Sequence, residues 1–427
     1  MKIAIIGTGF TGLAAASEFL SKGHNVEVFE ESGHIGGLAS TFPTHGTYLE
    51  STYHHIFESQ NDILTLLDEL GLHERVQWGR LTTGVFIKGH LYPFTSPFDL
   101  LRFSPLPFPD RIRMGIATLL LRGMGRWHDF SSVSAQQWIC RWAGKRAYRV
   151  VWEPLLRGKF HEHFSQISMM WLWNRLRVRS ERVAYIQGSL KIVFEALQKR
   201  LEDHRATVHF NTSIDGISSD DSGAHLSIRG RSDCVSFDRV LCTVPSPVFA
   251  RMIERNPLPP DYIHTLLKTG NLGSVCLVFS SSQSLSPFYW TNINDEKSPF
   301  IVCIQHTNLV PSSQFRGENF YYLNAYVPLD DWRFLLDEAQ ITEKYLSYLS
   351  VIFPAFRRDK VTETHLSRIH YAQHIAVVGY EKIIYPHKTP IPRVYLANFS
   401  QIFPKDRSMN CAVKDGKEVA RMMMSDL

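Results

Sequence analysis

Apolar positions near the start of the chain come in short unbroken runs punctuated by glycine. Ile3–Ile6 is such a run, closed by Gly7. With no polar alternation, it predicts a strand covered on both faces, as in a parallel sheet. Leu13–Ser21 is alanine-rich and reads as a helix with Gly23 at its C-cap. Asn25–Phe29 predicts a second strand, and a further helix is expected over Asn61–Leu70. From residue 86 to 182 the pattern is helical and aromatic, with breaks at Pro93, Pro97, Pro105, Pro107 and Pro109. Strand-like runs return at Gly273–Ser280, Pro299–Gln305 and Phe320–Val327, which predicts a mixed sheet.

Composition narrows this picture. The chain has 427 residues, 44% hydrophobic and 20% charged, enough for two domains or one large composite. The six cysteines are scattered and form no C-x-x-C, which argues against a disulfide framework or a zinc site. With the first strand beginning at Lys2, no leader is expected, and no apolar run reaches spanning length. A cytoplasmic setting follows as the expectation. The net charge of +5 hides an asymmetry: Leu100–Arg182 holds 15 Lys/Arg against 5 Asp/Glu, a net of +10. The same stretch holds six of the nine tryptophans, Trp127 among them. The plain reading is a solvated basic face over an aromatic core. The functional reading is an anionic substrate, or peripheral contact of 100–182 with the inner face of an anionic membrane. Nucleic acid is not expected, because no helix-turn-helix, RNP or finger pattern occurs.

The chemistry starts at Gly7, Gly9 and Gly12, a G-x-G-x-x-G between the first strand and helix. Gly7 allows the tight turn, Gly9 lets the backbone approach a pyrophosphate, and Gly12 lets helix and strand pack closely. Phe10 and Thr11 open the helix, whose free amides and partial positive charge suit phosphates. Glu30 ends the second strand, 18 residues after Gly12. A carboxylate there accepts from ribose hydroxyls and repels a 2′-phosphate, which selects an FAD- or NAD-type adenosine.

After the second strand comes "GHIGG", Gly33–Gly37. With Glu30 six residues before Gly36, the chain resembles the flavin-containing amine oxidoreductase superfamily: amine oxidases, protoporphyrinogen oxidases and carotenoid desaturases, with UDP-galactopyranose mutases as a branch. The resemblance implies FAD, with Gly36, Gly37 and Leu38 along its ribityl-pyrophosphate. Leu38 stands where many members carry a basic residue. Tyr185–Glu202 resembles the family's glycine-started helix, and Thr207–Ile217 the strand and turn that place the Ile214 backbone at the adenine. Asp238–Pro247, with Thr243, resembles its next strand and proline loop. Arg393–Met422 resembles the second FAD segment, a strand and then a helix from about Asn410, with Asn410 and Ala412 at its start. The family's usual Gly-Asp after that strand is Asn398-Phe399 here, and Asn398 can hydrogen-bond ribityl or phosphate oxygens without bringing a charge.

The fold class expected is therefore α/β: a Rossmann-type FAD-binding domain from discontinuous segments (1–85, 183–250, 366–427), with an inserted α+β substrate domain (86–182, 251–365). Tyr53, His54 and His55 lie in a loop that resembles the one placed beside the flavin, and His55-Ile56-Phe57 matches the mutase branch. Arg157 reads first as a helix end with Gly158 as C-cap, and second as a clamp for a carboxylate or phosphate. His161 and His163 would share a strand face, but no third metal ligand is indicated, so no metal is expected. Tyr289, Asn324, Tyr371 and Gln373 are candidates for the cavity lining; such aromatic stripes more often belong to a core. No catalytic residue can be named, since no triad or paired-carboxylate pattern occurs.

The reading is an FAD-dependent oxidoreductase of the amine oxidase and protoporphyrinogen oxidase type. It would take a hydride to flavin N5 from an amine or conjugated small molecule, with an anionic substrate suiting the basic insertion. The second reading is a non-redox sugar-nucleotide mutase. It is favoured by the His-Ile-Phe loop and by Arg157, Arg175, Arg177 and Arg179. The sequence leaves the oligomeric state open.

Overall fold

The computed structural model describes residues 1–123 and 130–426, so Trp127 lies outside the described residues. Five parallel strands make the first sheet, in the order Thr207–His209, Asn25–Phe29, Lys2–Ile6, Arg239–Cys242, Val394–Leu396. The unbroken apolar run at the N-terminus is explained by burial on both sides. Ile3 and Ile5 enter one core with the helices Phe10–Ser21, Ser189–Asp203 and Met409–Ser425. Ala4 and Ile6 enter another, under a three-stranded antiparallel sheet formed by Ile214–Asp220, Gly223–Ile228 and Cys234–Phe237. Parallel strands covered on both faces are the α/β arrangement expected.

The second sheet has seven strands. Its order is Val361–His374, Asn271–Ser281, Asn319–Val327, Val302–Gln305, Trp290–Asn294, Thr83–Ile87, His90–Pro93. It is mixed: Trp290–Asn294 runs parallel to Thr83–Ile87, and its other pairs are antiparallel. One face packs on the helix Glu338–Ile352. The other carries Cys276, Val278 and Tyr322 against Phe42, Leu49 and Tyr185 from the nucleotide-binding side. Two strands cross the expected segment boundaries, since Thr83–Ile87 and Val361–His374 both belong to this sheet.

The segment between the sheets is helical, as expected, but its prolines act differently. Pro97 and Pro109 lie in the first turns of the helices Pro97–Arg102 and Phe108–Gly123, where a missing N–H costs nothing. Gly158 is also not a C-cap. It lies inside the helix Glu153–Phe160, where a Cβ would meet Ile301 Cγ2 at 2.8 Å, so its role is close approach. The helix ends at Phe160, and His161–Gln166 forms a tight 3₁₀ turn rather than the strand expected for His161 and His163.

Candidate functional site

Three glycine contacts shape the nucleotide loop. A Cβ on Gly7 would run into the Thr243 hydroxyl, which itself donates to Ile6 O at 2.8 Å. A Cβ on Gly12 would overlap the Gly7 carbonyl. A Cβ on Gly37 would lie 3.3 Å from Gly9 Cα, and Gly36 N–H donates to Thr8 O at 3.2 Å, so the two glycine loops touch. Gly9 alone in this group faces open space, with nothing within 4 Å of a Cβ placed there. The helix it opens has no side-chain cap and no acid in its first turn. The first-turn amides of Phe10, Thr11 and Gly12 therefore remain for an anion. Phe10 itself is buried against Phe194, with ring centroids 5.0 Å apart.

Glu30 sits at the C-terminal edge of its strand, as expected. Its carboxylate accepts from Thr8 N–H at 3.0 Å and Ser32 N–H at 2.9 Å, which fixes it beside the glycine turn. Ile214 is buried under the sheet, and Leu38 is half-buried with its carbonyl accepting from Thr52.

The last helix packs across the first. Gly416 lets Met409–Ser425 cross Phe10–Ser21 closely, because a Cβ there would overlap the Thr11 carbonyl. Ser408 caps this helix by accepting from Cys411 N–H at 3.2 Å. The Asn410 side chain and the Ala412 amide both have partners within the protein. Asn410 directs its side chain to the neighbouring helix, accepting from Ile63 N–H at 3.1 Å and donating to Asp62 at 2.9 Å. The Ala412 amide is bound to Ser408 O at 3.0 Å. The amides of Met409 and Asn410 are the first-turn donors without an intrahelical partner. Asn398 likewise turns inward: it caps a 3₁₀ turn through Ser400 N–H at 2.9 Å and donates to Val244 O at 3.0 Å.

His55 and Tyr289 come together, although 234 residues apart, with His55 Nδ1 3.0 Å from the Tyr289 hydroxyl. That hydroxyl is 2.9 Å from the Tyr185 hydroxyl. His54 Nδ1 donates to Thr52 O at 2.7 Å, and the Tyr53 ring meets Trp290 edge-on at 5.1 Å. Burial pushes His54 down to about 4; burial, with Arg179 and Arg175 nearby, pushes His55 down to about 3. Both imidazoles are neutral at physiological pH.

Beside this loop lies a charge cluster that sequence reasoning did not assemble. Asp406, two residues before the cap of the last helix, pairs with Lys159 at 3.4 Å and with Arg175. Trp171 Nε1–H donates to its other oxygen at 3.1 Å. Arg407 donates to the Tyr326 hydroxyl at 3.0 Å, and its Nε–H has no partner. His374 is fully buried with both ring nitrogens unpartnered. Against the effect of burial, Lys159, Arg175 and Arg407 hold the Asp406 carboxyl far below the usual range. Burial pulls Lys159 down to about 7, with Asp406 opposing. Three basic side chains thus gather around one carboxylate, in a partly buried place where the Arg175 side chain keeps 36% of its exposure.

The remaining candidates are engaged in contacts of their own. Arg157 pairs with Glu153 at 2.8 Å and stacks 3.9 Å over the Phe164 ring, so it is the helix-end residue rather than a clamp. Asn324 is held within the sheet by Ser274 at 2.7 Å. Gln373 donates to His374 O at 3.0 Å and leaves its Oε1 unpartnered. Tyr371 is half-buried on the sheet edge. His161 binds Tyr326 O at 2.7 Å, and no group of three or more metal-ligating side chains occurs among the described residues.

The model of the flavin containing amine oxidoreductases matches residues 10–424. The chain belongs to that family. It is 25% identical over 215 residues to protoporphyrinogen oxidase 2 of Arabidopsis thaliana, covering 48% of this chain and 42% of that protein. It is 24% identical over 323 residues to coproporphyrinogen III oxidase of Staphylococcus aureus, covering 65% and 67%. The chain thus spans less than half the length of the plant relative. Reduced UDP-galactopyranose mutase has the same fold, with a TM-score of 0.78 at 16% identity over 100% of this chain and 96% of that one. The family's cofactor is FAD, and the site fits it: an uncapped, acid-free helix start, open space at Gly9 and a carboxylate at Glu30.

Proposed function

We propose that this family member is an FAD-dependent oxidoreductase acting on an anionic small molecule, an amine or a conjugated compound. We also assign FAD binding to segments 1–85, 183–250 and 366–427, and substrate binding to the insertions, with Thr83–Ile87 and Val361–His374 as the shared framework. The flavin, when bound, supplies a hydride acceptor at N5. Gly7, Gly9 and Gly12, with the amides of Phe10 and Thr11, hold its pyrophosphate, and Glu30 holds a ribose. The start of the last helix lends partial positive charge to the site. His55, kept neutral by burial and oriented by Tyr289 and Tyr185, acts as a hydrogen-bonding group beside the flavin.

The observation that carries the substrate reading is the cation surplus of Lys159, Arg175 and Arg407 around Asp406. A carboxylate or phosphate entering there satisfies Arg407 and balances the charge; a diamine is repelled. Anaerobic titration of the flavin-loaded protein with protoporphyrinogen, which bears carboxylates, and with putrescine tests this. Bleaching by the carboxylate donor and not by the diamine supports it; the reverse order refutes it.

A second reading has its own support. The His55-Ile56-Phe57 loop beside clustered arginines suits a sugar nucleotide, so the fold of the mutase is relevant. Ring contraction of UDP-galactose by the dithionite-reduced protein would replace the oxidase reading with a non-redox one.

A further inference from the structure

The helix Phe108–Gly123 is apolar on two sides. Met114, Ala117 and Leu121 face the helical core and anchor it there. Phe108, Ile112, Ile116, Leu119 and Leu120 are exposed, at 60%, 38%, 54%, 70% and 49%. Their spacing of three and four residues aligns them in one outward stripe. Trp142, 46% exposed at the end of the helix Ala135–Trp142, extends it. Arg113 fastens the two helices, donating to Trp142 O at 2.8 Å and Arg141 O at 2.6 Å. Folding already has its buried face, so the outer stripe has no partner within the described residues.

The charge around the stripe selects its occupant. Pro97–Arg146 contains eight Lys/Arg and three Asp/Glu, a net of +5, which equals the formal net charge of the whole chain. Asp99 is engaged in a capping box and Asp110 pairs with Arg146 at 3.5 Å. Arg102, Arg122, Arg141 and Lys145 are exposed. Two copies of such a face repel each other, whereas anionic lipid neutralises it. No helix among the described residues is long and apolar enough to cross a membrane, so a contact with lipid lies in the interface plane.

We propose that this face docks the protein on an anionic lipid bilayer, with the Phe108–Gly123 helix lying flat and its outward stripe among the acyl chains. The inference is independent of the flavin reading, because none of these residues belongs to the nucleotide site or the charge cluster.

Co-sedimentation of the full chain with phosphatidylcholine vesicles, with and without about one third phosphatidylglycerol, tests it. Binding to the anionic vesicles is expected to be at least about a hundredfold stronger and to fall in about 0.5 M salt. Ile116→Glu with Leu119→Glu should abolish it, with melting temperature and flavin content unchanged. Arg102→Glu with Arg141→Glu should weaken it about tenfold, since each charge contributes separately. Three outcomes overturn the proposal: wild-type protein that stays in the supernatant, variants that pellet like wild type, or a vesicle-free dimer that Ile116→Glu with Leu119→Glu dissociates.

Discussion

Gly416 lies directly over the carbonyl of Thr11, at the crossing of the last and first helices of the chain. This contact fixes the interior of the last helix against the first turn of the first helix. Ala14 Cβ, 3.2 Å from a Cβ built at Gly416, leaves no room on the other side. Gly416→Val therefore forces the helices apart. A loss of about 2–3 kcal/mol is expected in denaturant unfolding, with weaker flavin retention. Unchanged stability would show that the crossing is looser than the structure has it.

A second prediction concerns Glu50, which is buried and accepts from Leu190 N–H at 2.8 Å at the start of the helix Ser189–Asp203. Burial pushes its carboxyl from 4.5 up to about 7. The folded state thus binds a proton more tightly than the unfolded one. The associated stability is fully present below about pH 4.5 and is lost as pH rises through about 7. Glu50→Gln should flatten this part of the stability profile and be the more stable protein at pH 8. Parallel profiles for the two proteins would refute the assignment.

These two residues also mark what the sequence made legible. The glycine turn, the flanking strands and Glu30 are encoded within one short stretch, where local spacing and geometry coincide. Gly416 has no such local signature, because its reason is a helix more than four hundred residues earlier in the chain. Val361–His374 is not legible as a long strand because it lies at a sheet edge, half-exposed and mostly polar, and carries no apolar run. The charge cluster was hidden for a related reason: Lys159 and Asp406 are 247 residues apart. Arg157 and Lys159 are two positions apart on one helix and so point to different sides. Only the fold shows that Lys159 turns inward and Arg157 does not.

Lys159 yields a third prediction. With its ammonium pulled down to about 7, it is charged below that pH and increasingly neutral above it. KM for an anionic donor should rise between pH 7 and pH 9. Lys159→Met should raise KM about tenfold at pH 6.5 and remove the pH dependence, the loss of one charge-assisted hydrogen bond. An unaltered KM profile in the variant would place the anion elsewhere.

The central claim is that the first and last helices converge on one FAD, and Gly9 tests it most directly. Its φ of −70° suits any residue, and a Cβ there meets nothing in the protein. Gly9→Ala should therefore fold and melt like wild type while filling the space that the pyrophosphate needs. The measurement is the flavin absorbance of both proteins after reconstitution with FAD. The account predicts one FAD per wild-type chain and a nearly colourless Gly9→Ala protein. Full flavin occupancy in Gly9→Ala, or a wild-type protein that takes up none, would contradict it.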